Sequence, residues 1–118
     1  MMREVLYLVG AGGAVLWRDS GESAVAIADS RARWEAIWER RAELVEIAHS
    51  HPVGPRAFSS EDETTMAALA AALGRAPRFS VVAPSGMIAR VDGVDVLVAD
   101  EPAWAAALRR ESGMKEVP

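Results

Sequence analysis

The sequence predicts an α+β domain, a mostly antiparallel sheet flanked by helices. Three observations carry that prediction. Short apolar runs bounded by glycine, proline and aspartate occur towards both ends of the chain, two middle stretches shift to a spacing of three and four, and short turn signals separate the last strands. At 118 residues the chain is one domain's worth, residues 1–118. A domain of that size buries roughly two thirds of its unfolded surface, enough for a real core.

The elements follow in order. Val5 to Val9 is a continuous apolar run, which suits a strand buried on both faces. Gly10 to Gly13 supplies a turn, Ala14 to Trp17 begins a second strand, and Asp19-Ser20-Gly21-Glu22 turns the chain again into a strand at Ala24 to Ala28. The period then changes. Trp34, Ile37, Trp38, Arg41 and Leu44 recur at three and four, with Ser30 placed to cap, so residues 31 to about 42 read as an amphipathic helix. Leu44 to His49 is a short strand. Ser60-Glu61-Asp62-Glu63 has the form of a capping box and opens a helix through Met66, Leu69 and Leu73, closed by Gly74. Strands follow at Phe79 to Ala83, Met87 to Val91 and Val94 to Ala99, separated by Pro84-Ser85-Gly86 and by the hairpin signal Asp92-Gly93. Pro102 stands near the start of a last helix carrying Trp104 and Leu108.

Composition excludes several functions. The net charge is −4, whereas phosphate-backbone binding needs clustered basic residues. Arginines do form short groups (Arg31, Arg33, Arg40, Arg41, Arg109, Arg110), but acids interleave with the central ones, and they read as solvated helix faces rather than a nucleic-acid surface. With no cysteine, disulfides, thiolate ligands and thiol nucleophiles are all removed. The N-terminus has some features of a signal peptide: Arg3, an apolar stretch, and Ala24-Val25-Ala26 as a small-residue cleavage site. Glu4 opposes that reading by placing an acid in the n-region, and Gly10, Gly12 and Gly13 break the apolar run. The run is also too short to span a bilayer. The expectation is a cytoplasmic protein with no membrane role.

The chemistry concentrates in one stretch, "HSHPVGPRAFSSEDE", residues 49–63. Both histidines of the chain are here. His49 and His51 lie two apart at the end of a predicted strand, so their side chains leave from the same face. Two imidazoles so placed make half of a zinc site, and a catalytic zinc takes three protein ligands and leaves the fourth position to water. Asp62 is well placed as the third. The loop over residues 52–61 leaves the strand, and the helix beginning near Ser60 returns Asp62 in its first turn, where a carboxylate gains from the helix dipole. One zinc ion per chain is expected. It would lower the pKa of a bound water to about 7, and a hydrolase then needs a base for the proton and a donor for the oxyanion. Ser59 could be such a donor.

These residues resemble the JAB/MPN domain metalloproteases, the JAMM family. Its signature is an upstream glutamate, then His-x-His-Pro, then Ser-x-x-Asp. Here His49-Ser50-His51-Pro52 is followed by Ser59-x-x-Asp62, with ten residues between His51 and Asp62. The resemblance implies His49, His51 and Asp62 as zinc ligands and Ser59 as the oxyanion-stabilising serine. The family's glutamate holds the catalytic water and sits on an early strand reading Glu-x-x-x-Leu-x-Gly. "EVLYLVG" matches, which gives that role to Glu4 and leaves Glu39, Glu43 and Glu46 as competitors. The implied fold is the curved sheet of the JAB/MPN, cytidine-deaminase-like type. Family members usually begin with a helix before the glutamate strand, and this sequence begins at the strand. The expectation is that the helix around Trp104 and Leu108 covers the surface concerned.

The resemblance also implies an activity. It is a zinc-dependent peptidase or isopeptidase acting after the C-terminal Gly-Gly of a ubiquitin-like protein, or releasing an amino acid from a sulfur-carrier protein. A non-catalytic binding module for a ubiquitin-like tail is the alternative. Other readings fail on the residues. "GAGG" lacks the sixth-position glycine of a dinucleotide fingerprint and precedes a strand. A Ser-His-Asp triad has no spare histidine, and a cupin-type site would want a third. Ser60 and Glu63 read as helix caps, and Trp34, Trp38 and Trp104 as core anchors.

Overall fold

The computed structural model describes residues 2–21 and 31–114. The strand expected at Ala24 to Ala28 and the Ser30 cap lie outside the described residues. Among the described residues six strands form one sheet: β1 (Val5–Val9), β2 (Val15–Ser20), β3 (Glu46–Ser50), β4 (Arg78–Ala83), β5 (Gly86–Val91) and β6 (Val94–Leu97). Their spatial order is β2-β1-β3-β4-β5-β6, and every neighbouring pair is antiparallel except β3 with β4. Three α-helices among the described residues complete the α+β domain: α1 (Arg31–Glu39), α2 (Ser60–Leu73) and α3 (Ala103–Ser112). The one parallel pair is bridged by α2, as a parallel connection requires.

β1 is buried at all five positions because its two faces feed two cores. Val5, Tyr7 and Val9 pack with Ala48, Val82, Met87 and the α3 residues Trp104, Ala105 and Leu108. Leu6 and Leu8 point the other way, joining Ile47, Phe79, and Ala36, Ile37, Met66 and Leu69 of α1 and α2. Period-two alternation on β1 thus separates an α3 face from an α1/α2 face. α3 covers β1, β3 and β4, with Leu108 and Ala105 wholly buried.

Turn chemistry agrees with the sequence at two decisive points. Gly74 closes α2 in the left-handed conformation (φ 73°). Asp92 and Gly93 both take positive φ, 51° and 78°, as a type I′ hairpin needs.

Other expectations are corrected. The predicted turn at Asp19-Ser20 is strand, since β2 pairs with β1 through Ser20. α1 stops at Glu39 rather than about 42, because the bonds Arg41 N–H to Trp38 carbonyl and Glu43 N–H to Arg40 carbonyl tighten into turns. Trp38 is not a core anchor. Ile37 takes the inward position, and Trp38 is 51% exposed beneath the Arg41 guanidinium, 4.0 Å from its ring centre. Nor is Arg109 on a solvated face: it bonds the Ala83 carbonyl at 3.1 Å and pairs with Glu101. No helix among the described residues is long and apolar enough to cross a membrane.

Candidate metal centre

The histidines arrive on the α1/α2 face by alternation. β1 and β3 pair with Leu6 opposite His49 and Leu8 opposite Ile47, so His49 continues the inward row of Ile47. Just beyond the paired residues, Glu4 precedes β1 and His51 follows β3, and the two side chains meet with Glu4 Oε1 3.8 Å from His51 Nε2. Glu4 is buried, with 6% of its surface exposed.

Asp62 is delivered by the start of α2. Ser59 is the N-cap, in extended geometry (φ −78°, ψ 170°). Its Oγ accepts from the Asp62 N–H at 3.1 Å, and Asp62 Oδ2 accepts from the Ser59 N–H at 2.8 Å. The capping box is thus Ser59/Asp62, one residue earlier than the Ser60/Glu63 pair expected. The sequence offers both, since each serine has an acid three residues on. Tertiary contacts decide between them: Arg90 of β5 holds Glu63 at 2.6 Å, while the histidines hold Asp62.

Two imidazole nitrogens and both oxygens of one carboxylate converge. His49 Nε2 and His51 Nε2 are 3.1 Å apart, and Asp62 stands 3.1 Å from the first through Oδ1 and 3.2 Å from the second through Oδ2. Ligand atoms around a tetrahedral zinc at 2.0–2.1 Å are about 3.3–3.4 Å apart. The contacts found here, each imidazole meeting a different Asp62 oxygen, are within a few tenths of an ångström of that spacing. Glu4, His49 and His51 form a second group, each offering one donor atom within 4.8 Å of the others. Of the two carboxylates, Asp62 lies nearer His51, at 3.2 Å against 3.8 Å for Glu4.

His51 is oriented by its other nitrogen. Nδ1 lies 3.1 Å from the Pro55 carbonyl, which can only accept, so Nδ1 carries the proton and Nε2 faces the centre. Burial shifts the charges in ways that fit. Burial pushes the Glu4 carboxyl above its usual range, against the opposing pull of His49 and His51. Burial would also raise Asp62, but hydrogen bonds to His49 and His51 hold it well below the usual carboxylate range. In His51, burial alone would lower the imidazole; the bonds to Asp62 and Pro55 outweigh it and raise it.

The centre lies at one side of a cavity of about 520 Å³ between the sheet and helices α1 and α2. Glu4, His49, His51, Ser59 and Asp62 line it together with an apolar wall that includes Leu6, Ile37, Met66 and Phe79. All five site residues expected from the sequence therefore meet in one space. Competing glutamates do not: Glu46 is buried against Ser80 and Arg78 at the opposite end of β3. Sequence reasoning missed the Pro55 carbonyl, which as a backbone group carries no residue signal.

The chain matches the family described as prokaryotic homologs of the JAB domain, over residues 8–108. It belongs to that family. The span matched by the JAB family includes His49, His51, Ser59 and Asp62, and stops short of Glu4. No curated protein matches the chain. For a JAB domain, the Glu/His/His group and the adjoining aspartate make a candidate metallohydrolase centre.

Proposed function

We propose that this JAB domain is a zinc-dependent peptidase or isopeptidase that cuts after the C-terminal Gly-Gly of a ubiquitin-like or sulfur-carrier protein. The observation that supports this most is the triangle of His49, His51 and Asp62, near zinc-ligand spacing, with Glu4 3.8 Å from His51. His49, His51 and Asp62 would hold one zinc ion. Bound there, zinc would polarise the scissile carbonyl and lower the pKa of a water to about 7.

The chain's own residues supply the rest. Glu4, with its raised carboxyl pKa, takes the proton from the attacking water and returns it to the leaving amine. Ser59 uses an oxygen lone pair for the Asp62 N–H, which leaves its hydroxyl proton free for the developing oxyanion.

The test is cleavage of ubiquitin-like proteins carrying a Gly-Gly-linked fluorogenic amide, with zinc and with chelator. Wild type should turn over only with metal. Glu4→Gln should keep zinc and lose about 10²–10⁴-fold in kcat, the usual contribution of a general acid/base. Asp62→Asn should weaken zinc binding by more than the roughly 10–100-fold that outer-shell partners control. Wild-type turnover by Glu4→Gln would remove the base assignment. Tail binding without turnover across the panel would make the domain a recognition module instead.

A further inference from the structure

We propose that Ser50 and Ser112, on the reverse face of the sheet, are positioning residues that lock the backbone of Glu4. The inference rests on the role given to Glu4 above. Ser50 lies between the two histidines, so alternation turns its side chain away from the metal centre and towards α3. Ser112 is the last residue of α3. Neither has any exposed surface.

Their hydroxyls form a chain with one consistent direction. The Val5 N–H donates to Ser50 Oγ at 2.8 Å. Ser112 Oγ is 2.6 Å from the Arg3 carbonyl and 3.0 Å from Ser50 Oγ. The carbonyl can only accept, so the single Ser112 proton goes to Arg3, and Ser50 must donate its own to Ser112. The chain of bonds therefore begins on the peptide group after Glu4 and ends on the peptide group before it. Both dihedral angles of Glu4 are held between them. Two backbone bonds reinforce the arrangement, from the Arg3 N–H to the Ser112 carbonyl at 2.9 Å and from the Gly21 N–H to the Glu4 carbonyl at 2.7 Å. Glu4 precedes the regular strand, where ladder bonds alone would leave it free to fray. The serines replace that missing regularity, and they tie the end of α3 to the acid/base.

Such a lock matters because a displacement of about 1 Å at a reacting group can cost 10²-fold in rate. The experiment compares Ser112→Ala and Ser50→Ala with Ser112→Thr, which keeps a hydroxyl. Leu108→Val serves as a control that loosens α3 without touching the chain of bonds. Four quantities are measured on zinc-loaded protein: kcat and KM on the Gly-Gly-linked fluorogenic substrate, zinc affinity against a chelating dye, and hydrogen exchange of the Val5 amide. Both alanine variants should lose about tenfold or more in kcat, with KM and zinc affinity within about twofold. Val5 exchange should accelerate in both, and Ser112→Thr should recover the rate.

An unchanged kcat in the alanine variants, or a fall no larger than in Leu108→Val, overturns the inference. If wild type cleaves nothing, the proposed function fails by itself, and the lock is then judged from crystals of zinc-loaded Ser112→Ala. A Glu4 carboxylate in its wild-type place beside His51 would overturn it there; a displaced one supports it.

Discussion

Ser59 caps α2 and, in the proposed reaction, also donates to the oxyanion; replacing it in two ways separates the two. As the N-cap of α2 its Oγ accepts from the Asp62 N–H at 3.1 Å. Ser59→Ala removes that bond, which at an N-cap costs about 1 kcal/mol, or roughly 4 °C in Tm for a chain of this length. Glycine at an N-cap costs only a few tenths of a kcal/mol, so Ser59→Gly should melt within about 1–2 °C of wild type. Neither variant has a hydroxyl to offer an oxyanion, so both should lose about 10²–10³-fold in kcat, equivalent to about 3–4 kcal/mol of barrier. Urea unfolding of zinc-loaded protein gives the stabilities, and turnover of the Gly-Gly-linked fluorogenic substrate gives the rates. The predicted pattern is equal kinetic loss with unequal stability loss. If Ser59→Gly cleaves at the wild-type rate while Ser59→Ala slows in step with its lost stability, the serine is a cap only and the oxyanion role is wrong.

Two further predictions concern stability. Leu108→Ala empties a wholly buried position between α3 and β1, and should cost about 2–5 kcal/mol by urea unfolding; a cost under about 1 kcal/mol would mean α3 is loosely docked. The gap in Tm between zinc-loaded and metal-free protein should widen from pH 6 to pH 8. His51 has a raised pKa in the metal-free fold, so it contributes stability below its unfolded value near 6.5 that is lost as pH rises through the folded pKa. Zinc instead needs the neutral imidazole and binds more tightly as that proton leaves. A gap that narrows with rising pH would contradict this account of His51.

Much of the site was legible in the residues. His-x-His on a strand fixes two imidazoles on one face by period two alone, and Ser59-x-x-Asp62 at a helix start fixes a carboxylate in the first turn. The glycine after α2 and the Asp-Gly hairpin were legible for the same reason: their backbone geometry admits few other residues. Local spacing failed where two local solutions were equally good. Ser60/Glu63 satisfies the capping pattern as well as Ser59/Asp62 does, and only Arg90, 27 residues beyond Glu63, breaks the tie. Trp38 failed similarly, because helical period places it near the apolar stripe while Ile37 takes the core position.

The sequence by itself therefore determined an α+β domain and put forward His49, His51 and Asp62 as candidate metal ligands, since short-range periodicity and side-chain chemistry are properties of neighbouring residues; Glu4 came forward through the family resemblance. Only the tertiary structure decided which acid stands where. The pairing of β1 with β3 leaves Glu4 beside His51, 47 positions away along the chain, and the end of α3 reaches back to Arg3 through Ser112. Strand pairing and helix docking are settled by which apolar faces can be buried together, and that is a property of the whole chain rather than of any segment in it.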